Sequence, residues 1–478
     1  MTTSGSVVVP LVVDLDGTLL ATDTLWELLV QYLCDKPWGF FTLFAWVFSG
    51  KARFKAKLAA VTVLDVESLP YRSECLDWLL AEKQSGRLIF LATGANAKVA
   101  NAVAEHLKIF DGVIASDSSS NVTGSTKAER IASILGTESY DYAGNSHVDI
   151  AVWRKSLSAI VVAPDAGVIA ALKRQNIPVK RHIAAPVVTL RTWMKALRVH
   201  QWMKNLLVFT PLLTSHRILD LPALAHALCG FAVFSLVASS TYLVTDLLDL
   251  TADRRHLTKS KRPMAAGLIS IPAAISVALL LLVAAGLLSI LLPWQAATLV
   301  LGYSLATLLY SSVIKKMLVA DVVMLAVFYT ARLLYGGLAT GIEISIWTLA
   351  FCAFSFFSLA AAKRINDLAK ASLRGSESLR HRAYQSQDRN ALVASAASTS
   401  NVAVLVLILY INSQQGERLY HHPQWLWLIC VPLLYWFNRI LTLANRGSLA
   451  DDPILFAAKD TATYVVLACV ALISFIAT

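Results

Sequence analysis

Asp246, Asp249 and Asp253 stand three and then four residues apart in LVTDLLDLTADRRHLTKSKRPMAAG (Leu243 to Gly267), directly after a strongly apolar run. At helical spacing the three carboxylates fall on one face, where they repel one another unless a cation meets them. Ionisable groups at a membrane segment are costly and point to function. Oxygen-only ligands in that setting suit Mg2+, which keeps waters and bridges to substrate phosphates. The cations that follow, Arg254, Lys261 and Arg262 among them, can hold phosphate oxygens, Arg through a planar fork and Lys as a point charge. The plainer alternatives are a solvated loop, acidic and then basic, and a set of anchors that snorkel to the membrane surface.

A second set of chemistry-bearing residues lies far upstream. VVVPLVVDLDGTLL is a β-branched run ending in Asp14 and Asp16, and open α/β sheets place their sites at such C-terminal strand edges. RLIFLATGA then delivers Thr93, GSTKAERI brings Lys127 at the start of a helix, and YDYAGNSHVD carries Asn145 and Asp149.

The elements that must position these groups divide the 478 residues into unlike halves. The whole chain is 56% hydrophobic and 15% charged, with a mean hydropathy of +0.59, beyond the range of ordinary soluble domains. Before Arg191 the apolar runs are short and alternate with polar stretches. After it come about nine apolar segments, near 203–217, 223–245, 268–291, 295–313, 317–340, 344–362, 391–412, 424–444 and 460–477, most of them long enough to cross a bilayer. The domains expected are an α/β domain over 1–183, a basic amphipathic linker over 184–202, and a polytopic membrane domain over 203–478.

Charge orients the membrane half. DRRHLTKSKRP, IKK, KRINDLAKASLRGSESLRHRAYQSQDR and NRGSLADDP fall on one side, and the Lys- and Arg-poor ILDLP, LLPWQ, TGIEIS and SQQGERLYHHPQ on the other. Basic loops stay inside, which predicts a multi-pass protein of the inner (cytoplasmic) membrane with its N-terminal domain in the cytoplasm and its C-terminus outside. The same bias accounts for the net charge of +11, so no nucleic-acid partner is expected. Cys34, Cys75, Cys229, Cys352, Cys430 and Cys469 form no CxxC pair, which indicates neither a disulfide framework nor a cysteine metal site. The first residues lack the basic region and cleavage pattern of a signal peptide and lead into a strand.

With these motifs in hand, the membrane half resembles the UbiA superfamily of intramembrane transferases. That family's first acidic motif reads Asn-Asp-x-x-Asp-x-x-x-Asp, and TDLLDLTAD places Thr245 where the Asn stands. Members that move a prenyl group onto an aromatic ring carry a second motif, Asp-x-x-x-Asp. Here YSSVIKKMLVADVVML supplies Asp321 with no carboxylate four residues on. HQWMKNLLVF, YSSVIKK with Asp321, ARLLYGG and AAKRINDL look like the decaprenyl-phosphate phosphoribosyltransferase branch. The resemblance implies transfer of phosphoribose from phosphoribosyl diphosphate (PRPP) to a polyprenyl phosphate. It implies Mg2+ on Asp246, Asp249 and Asp253, and substrate contacts from Lys204, Asn205, Arg254, Lys261, Arg262, Tyr310, Lys315, Asp321, Arg332, Lys363 and Arg364. Arg332 lies within an apolar segment, so it is expected to face a cavity or pair with a carboxylate.

The ordered upstream set resembles the haloacid dehalogenase (HAD) superfamily, which implies a Rossmannoid parallel sheet with a helical cap over about 19–86. By that resemblance Asp14 is the nucleophile, Asp16 the general acid and base, Thr93 and Lys127 phosphoryl contacts, and Asp14, Asp16, Asn145 and Asp149 the Mg2+ set. The family's last motif begins Gly-Asp; here it is Gly144-Asn145, which ligates through an amide oxygen and brings no charge. Within the cap, KPWGFFTLFAWVFSGKARFKAK is too short and aromatic to span and fits an interfacial helix or a packing face. Together these readings predict a bifunctional enzyme, a phosphoribosyltransferase followed by a phosphatase yielding polyprenyl-phosphoryl ribose, a cell-wall type of precursor. The alternatives are a prenyl-diphosphate transferase with an inactive or regulatory α/β domain, and a lipid transporter or binding protein. Assembly of several copies is left open by the sequence.

Overall fold

The computed structural model describes residues 9–477 except 119, 137–138, 257, 374–381, 414–420 and 450–451. The first eight residues and parts of four orienting loops therefore lie outside the described residues. The chain divides into two compact units, Met1–Leu197 with Tyr242–Val277, and Arg198–Thr241 with Ala278–Thr478.

In the first unit, Leu11, Val12 and Val13 form a fully buried strand, β1 (Leu11–Val13). It pairs in parallel with β2 (Ile89–Asn96) on one side and β4 (Asp141–Gly144) on the other, with Val13 opposite both Leu91 and Ala143. β3 (Gly112–Ser116), β5 (Ser158–Val162) and β6 (Val179–Ile183) complete a parallel sheet of order β3-β2-β1-β4-β5-β6. Alternation sends Leu11 and Val13 into one apolar layer with Cys75, Trp78 and Leu79, and Val12 into the other with Tyr142, Trp153 and Val161. Strand order reverses about β1, so the C-terminal ends of β1, β2 and β4 border the crevice where such sheets bind ligands. Helices Thr24–Asp35, Phe40–Val47 and Lys51–Val61 follow β1 and build a small core of their own around Leu28, Tyr32, Leu43, Leu58 and Ala59. Helix Ser73–Gln84, inside the span expected for the cap, instead packs its Cys75, Trp78 and Leu79 on the sheet.

Among the described residues six helices are long and apolar enough to cross a membrane: Leu221–Leu248, Ile271–Ser289, Ala320–Thr340, Ile346–Leu373, Ser386–Ile411 and Pro423–Asn445. The count of about nine is thus not reached. The segment near 203–217 is a run of tight turns, Val199–Phe209, followed by the five-residue helix Thr210–Thr214. Trp294–Ser312 is helical but diluted by Gln295, Thr298, Ser304 and Thr307, and Thr461–Ala477 has only 17 residues. The linker contributes one short helix, Leu190–Ala196, capped by Thr189. In the second unit Ala360, Ala361 and Ala362 meet Ala396, Ile440 and Ala444, small residues that let helices approach closely. The Ser358 hydroxyl donates to the Ala396 carbonyl across that contact at 2.9 Å.

Candidate active sites

At the crevice of the sheet, Asp14 leaves β1 and its oxygen Oδ1 receives the Leu15 N–H at 2.9 Å and Lys127 Nζ at 2.9 Å. Lys127 is buried at the start of helix Gly124–Leu135 and also lies 3.5 Å from Asp149 Oδ1. Gly17, at φ +76°, lets the loop turn back: a Cβ there would sit 2.5 Å from Asn145 Nδ2, so only glycine admits the Asn145 amide. Thr18 Oγ1 donates to Asn145 Oδ1 at 3.3 Å. Asp16 accepts from the Thr24 N–H at 2.8 Å and the Thr24 hydroxyl at 3.2 Å, which ties it to the first turn of helix Thr24–Asp35. Thr93, fully buried in β2, accepts the Ala95 N–H through its hydroxyl.

Asp149, expected among the metal ligands, accepts several hydrogen bonds in the structure. Its Oδ1 accepts from the Tyr142 hydroxyl at 2.7 Å, and its Oδ2 from the N–H groups of Asn145 and Ser146 and the Ser146 hydroxyl. Both oxygens are engaged in shaping the turn after β4 and in holding Lys127. Burial pushes the Asp14 carboxyl up to about 6, with Lys127 pulling it down and Asp149 raising it further. Burial, then the nearby Asp23, pushes Asp16 up to about 7. A carboxyl that titrates near neutrality suits general acid–base chemistry.

The acidic triplet of the 242–277 stretch belongs to this same unit, and it does not share one helix face. Asp246 lies in helix Leu221–Leu248, but Asp249 has φ −93° and ψ 8°, outside the helix, and Asp253 sits in the short helix Leu250–Arg254. Arg262 closes on two of the three: one guanidinium nitrogen lies 3.1 Å from Asp246 Oδ1 and in close contact with Asp253 Oδ2. Asp249 stands instead near the Cys34 thiol, and with burial and Asp35 it pushes that thiol up to about 11. A single cationic nitrogen touching two buried carboxylates marks a slot that a metal cation fits, with Asp246 and Asp253 as its holders. Asp14, whose neighbour is the Lys127 ammonium, is the matching carboxylate in the sheet crevice. Among the described residues no three His, Cys, Asp or Glu side chains come together as a metal site. Thr245 spends its hydroxyl on the Tyr242 carbonyl at 3.1 Å.

Arg254, expected on a phosphate, is held elsewhere. It makes a bidentate pair with Glu27 of helix Thr24–Asp35, at 2.9 and 2.7 Å, with both side chains buried. Glu27 also receives the Thr22 hydroxyl at 2.6 Å, and Arg254 Nε donates to the Ala265 carbonyl at 3.2 Å. Nearby, Gly267 (φ +69°) lies so close to Ala21 that a Cβ would meet the Ala21 Cβ at 2.7 Å. The loop is therefore seated on the turn that follows Asp14 and Asp16. Lys261 is exposed, and its carbonyl accepts from Lys195.

The second unit gathers the other expected residues into two networks. Lys204 Nζ lies 2.5 Å and Lys363 Nζ 3.3 Å from the same oxygen of Asp452, a residue that also caps helix Pro453–Ala457. Lys204 is thus paired with a carboxylate, and two ammoniums around one carboxylate leave a surplus positive charge. Asn205 donates to the Ser235 hydroxyl at 3.0 Å and accepts from Arg332 Nε at 2.9 Å. Arg332 does not pair with a carboxylate: its remaining donors go to the Phe328 carbonyl and the Tyr303 hydroxyl, and its plane packs 5.2–5.6 Å from the rings of Phe234, Tyr303 and Tyr329. In the other network Asp321 accepts from Tyr310 at 2.6 Å, Arg364 at 2.5 Å and Arg382 at 2.7 Å. Arg364 also reaches Asp367 at 2.8 Å. Lys315, in the turn Ile314–Lys316, is half-buried.

Sequence reading missed Glu27, Arg382 and Asp452. Only Asp452 had a local signal, as an Asp directly before a Pro that starts a helix.

The profile of the UbiA prenyltransferase family matches residues 206–457, more than half of the chain. Uncharacterized protein y4nM of Sinorhizobium fredii is 31% identical over 463 residues, 97% of this chain and 90% of its own length. Decaprenyl-phosphate phosphoribosyltransferase of Mycolicibacterium smegmatis is 36% identical over 190 residues, 38% of this chain and 59% of that enzyme. Among solved structures, a UbiA homolog from Archaeoglobus fulgidus bound to GPP and Mg2+ gives a TM-score of 0.44 at 16% identity, covering 60% of this chain and 99% of that one. By that family match over more than half of its length, this membrane chain with its N-terminal parallel-sheet α/β domain belongs to the UbiA prenyltransferase family.

Proposed function

We propose that the membrane domain transfers phosphoribose from PRPP to a polyprenyl phosphate, and that the α/β domain then hydrolyses the phosphate monoester on the transferred ribose. The observation that carries this reading is the cation slot of Asp246 and Asp253 closed by Arg262, in a stretch whose motif resembles phosphoribosyl transferases and whose relatives include one so named. A Mg2+ ion bound by these carboxylates supplies charge neutralisation to a departing diphosphate. Asp246 and Asp253 hold that charge at the loop, and Arg262, once displaced from them, offers a planar fork to diphosphate oxygens. Lys204 and Lys363, with one carboxylate between them, supply the surplus positive charge that a lipid phosphate needs.

In the α/β domain, an Asp14 oxygen bonds to phosphorus while the P–O bond to the ribose breaks, and Asp16 gives its proton to the departing alkoxide. Asp16 then takes a proton from water as the water oxygen attacks phosphorus. The bond to Asp14 breaks and inorganic phosphate leaves. Lys127 stays on Asp14 and offsets the charge of the phosphoryl oxygens, and Thr93 offers them a hydroxyl. The motif residues and the near-neutral titration of Asp16 support this assignment. The proposed setting is the cytoplasmic membrane, with the α/β domain in the cytoplasm.

Purified protein incubated with Mg2+, PRPP and polyprenyl phosphate tests both halves, with lipid products read by mass spectrometry. Wild type is expected to yield polyprenyl-phosphoryl ribose, Asp14→Asn its phosphorylated precursor, and Asp253→Asn neither. Diphosphate release from a prenyl diphosphate without PRPP overturns the transferase assignment. An unchanged product mixture from Asp14→Asn overturns the hydrolase assignment.

A further inference from the structure

Helix Phe40–Val47 buries one residue, Leu43, and half-buries Trp46 against Tyr32, with ring centroids 5.7 Å apart. Beside the exposed Thr42, large apolar side chains stand open on this helix and its flanks: Trp38 is 85% exposed, Phe41 73% and Phe48 77%, with Phe40, Phe44 and Val47 also exposed. Six large apolar side chains in eleven residues are far more than the scattered exposure of an ordinary surface, and such patches mark a partner. Phe40 packs edge-on against Phe41, and Phe44 against Phe48, so the rings form a standing ridge.

The position of the ridge identifies the partner. Helix Thr24–Asp35, which leads into it, touches the end of the 28-residue apolar helix Leu221–Leu248: Cys34 Sγ donates to the Leu248 carbonyl at 3.4 Å. One turn earlier, Gln31 Oε1 accepts from the Thr251 hydroxyl at 3.3 Å. Leu248 is where an apolar helix gives way to Asp249 and the charged loop, which is the level of the lipid headgroups. Trp38 follows Cys34 by four residues, a reach of at most about 14 Å. Lys36, Arg53 and Lys57 are exposed on the same insert and suit an anionic surface.

We propose that Trp38, Phe40, Phe41, Phe44 and Phe48 are seated in the bilayer, at the boundary of headgroups and acyl chains, as a second membrane attachment of the α/β domain. The attachment does not depend on which substrate the enzyme uses. It holds the insert that follows Asp14 and Asp16 against the lipid surface, so the crevice meets substrates carried in that surface.

The test uses the full-length chain in nanodiscs of phosphatidylcholine with phosphatidylglycerol, carrying a photoreactive phenylalanine at position 41, 44 or 48. Leu157, half exposed just before β5 of the same unit, serves as the control position. Phospholipid adducts are expected at the three ridge positions at about tenfold or more the yield at position 157. Their yield should fall when the anionic lipid is left out. Substituting Phe40, Phe41, Phe44 and Phe48 by Ser, which removes no buried contact, should leave thermal unfolding in detergent unchanged and abolish adducts from a probe at Trp38. Adducts between two copies of the chain in place of lipid, or ridge yields equal to the control, overturn the proposal.

Discussion

Breaking one side of the Arg254–Glu27 pair should loosen the stretch that carries Asp253 and Arg262, and removing both sides should restore it. The two side chains are only 6% and 5% exposed and share two hydrogen bonds. Deleting one partner strands a buried charge, at a cost of about 3–5 kcal/mol, whereas an apolar pair of similar volume is close to neutral. At about 1.4 kcal/mol per factor of ten, local opening of the loop should rise by roughly two to three powers of ten. Amide hydrogen exchange over residues 250–267 reads that opening directly. Arg254→Met alone and Glu27→Leu alone should each speed exchange by about a hundredfold or more, and the double variant should return to within about tenfold of wild type. If the two substitutions simply add, with a coupling under about 0.5 kcal/mol, the pair does not hold the loop and the reasoning fails.

Gly267→Ala should lower the unfolding midpoint, because φ +69° and a Cβ 2.7 Å from Ala21 cost about 1–3 kcal/mol together, while Gly286→Ala, with nothing within 4 Å, should be neutral or stabilising. Equal midpoints for the two would refute the seating of the loop. Asp14 and Asp16 keep protons up to about 6 and 7 in the folded state, above the ordinary carboxylate range near 4. The native state therefore binds more protons across that window, and stability of the Mg2+-free protein should fall as pH rises through it. Thermal scans in chelator at about pH 5.5 and about pH 7.5 check the sign, and Asp16→Asn should flatten the trend. Arg332→Met leaves Asn205 Oδ1 without its donor at a cost of about 1–3 kcal/mol, so a midpoint unchanged in detergent would show that the arginine is not holding Asn205. Asp452→Asn leaves Lys204 and Lys363 facing each other uncompensated, and added inorganic phosphate should raise the midpoint of this variant more than that of wild type; an equal response counts against an anion slot.

Local patterns were legible in the chain, and pairings between distant residues were not. The run LVV before Asp14 announces a buried strand because β-branched and apolar residues fill both faces of a central parallel strand, and it lies between β2 and β4. Long apolar runs announce membrane helices, but the segment near 203–217 fails because Pro211 restarts the chain after a stretch of tight turns. The spacing of Asp246, Asp249 and Asp253 suggested one helix face, and no Gly or Pro warns that the helix ends at Leu248. Glu27 and Arg254 are separated by 227 residues, and Lys204 and Asp452 by 248, so no window along the sequence contains either pair. The type and place of Asp149 suggest a ligand; only the structure shows the hydrogen bonds its oxygens accept from Tyr142, Asn145 and Ser146.

In the proposed reading, the guanidinium of Arg262 sits where an incoming divalent ion would bind, so the loop would carry a built-in competitor. Metal alone would have to evict it, and an anion that welcomes the evicted side chain would make the eviction easier. Linkage requires the help to be mutual: whatever factor the anion adds to metal affinity, the metal adds to anion affinity. On that reading, titrating this protein with either ion by itself would understate how tightly it holds the two together.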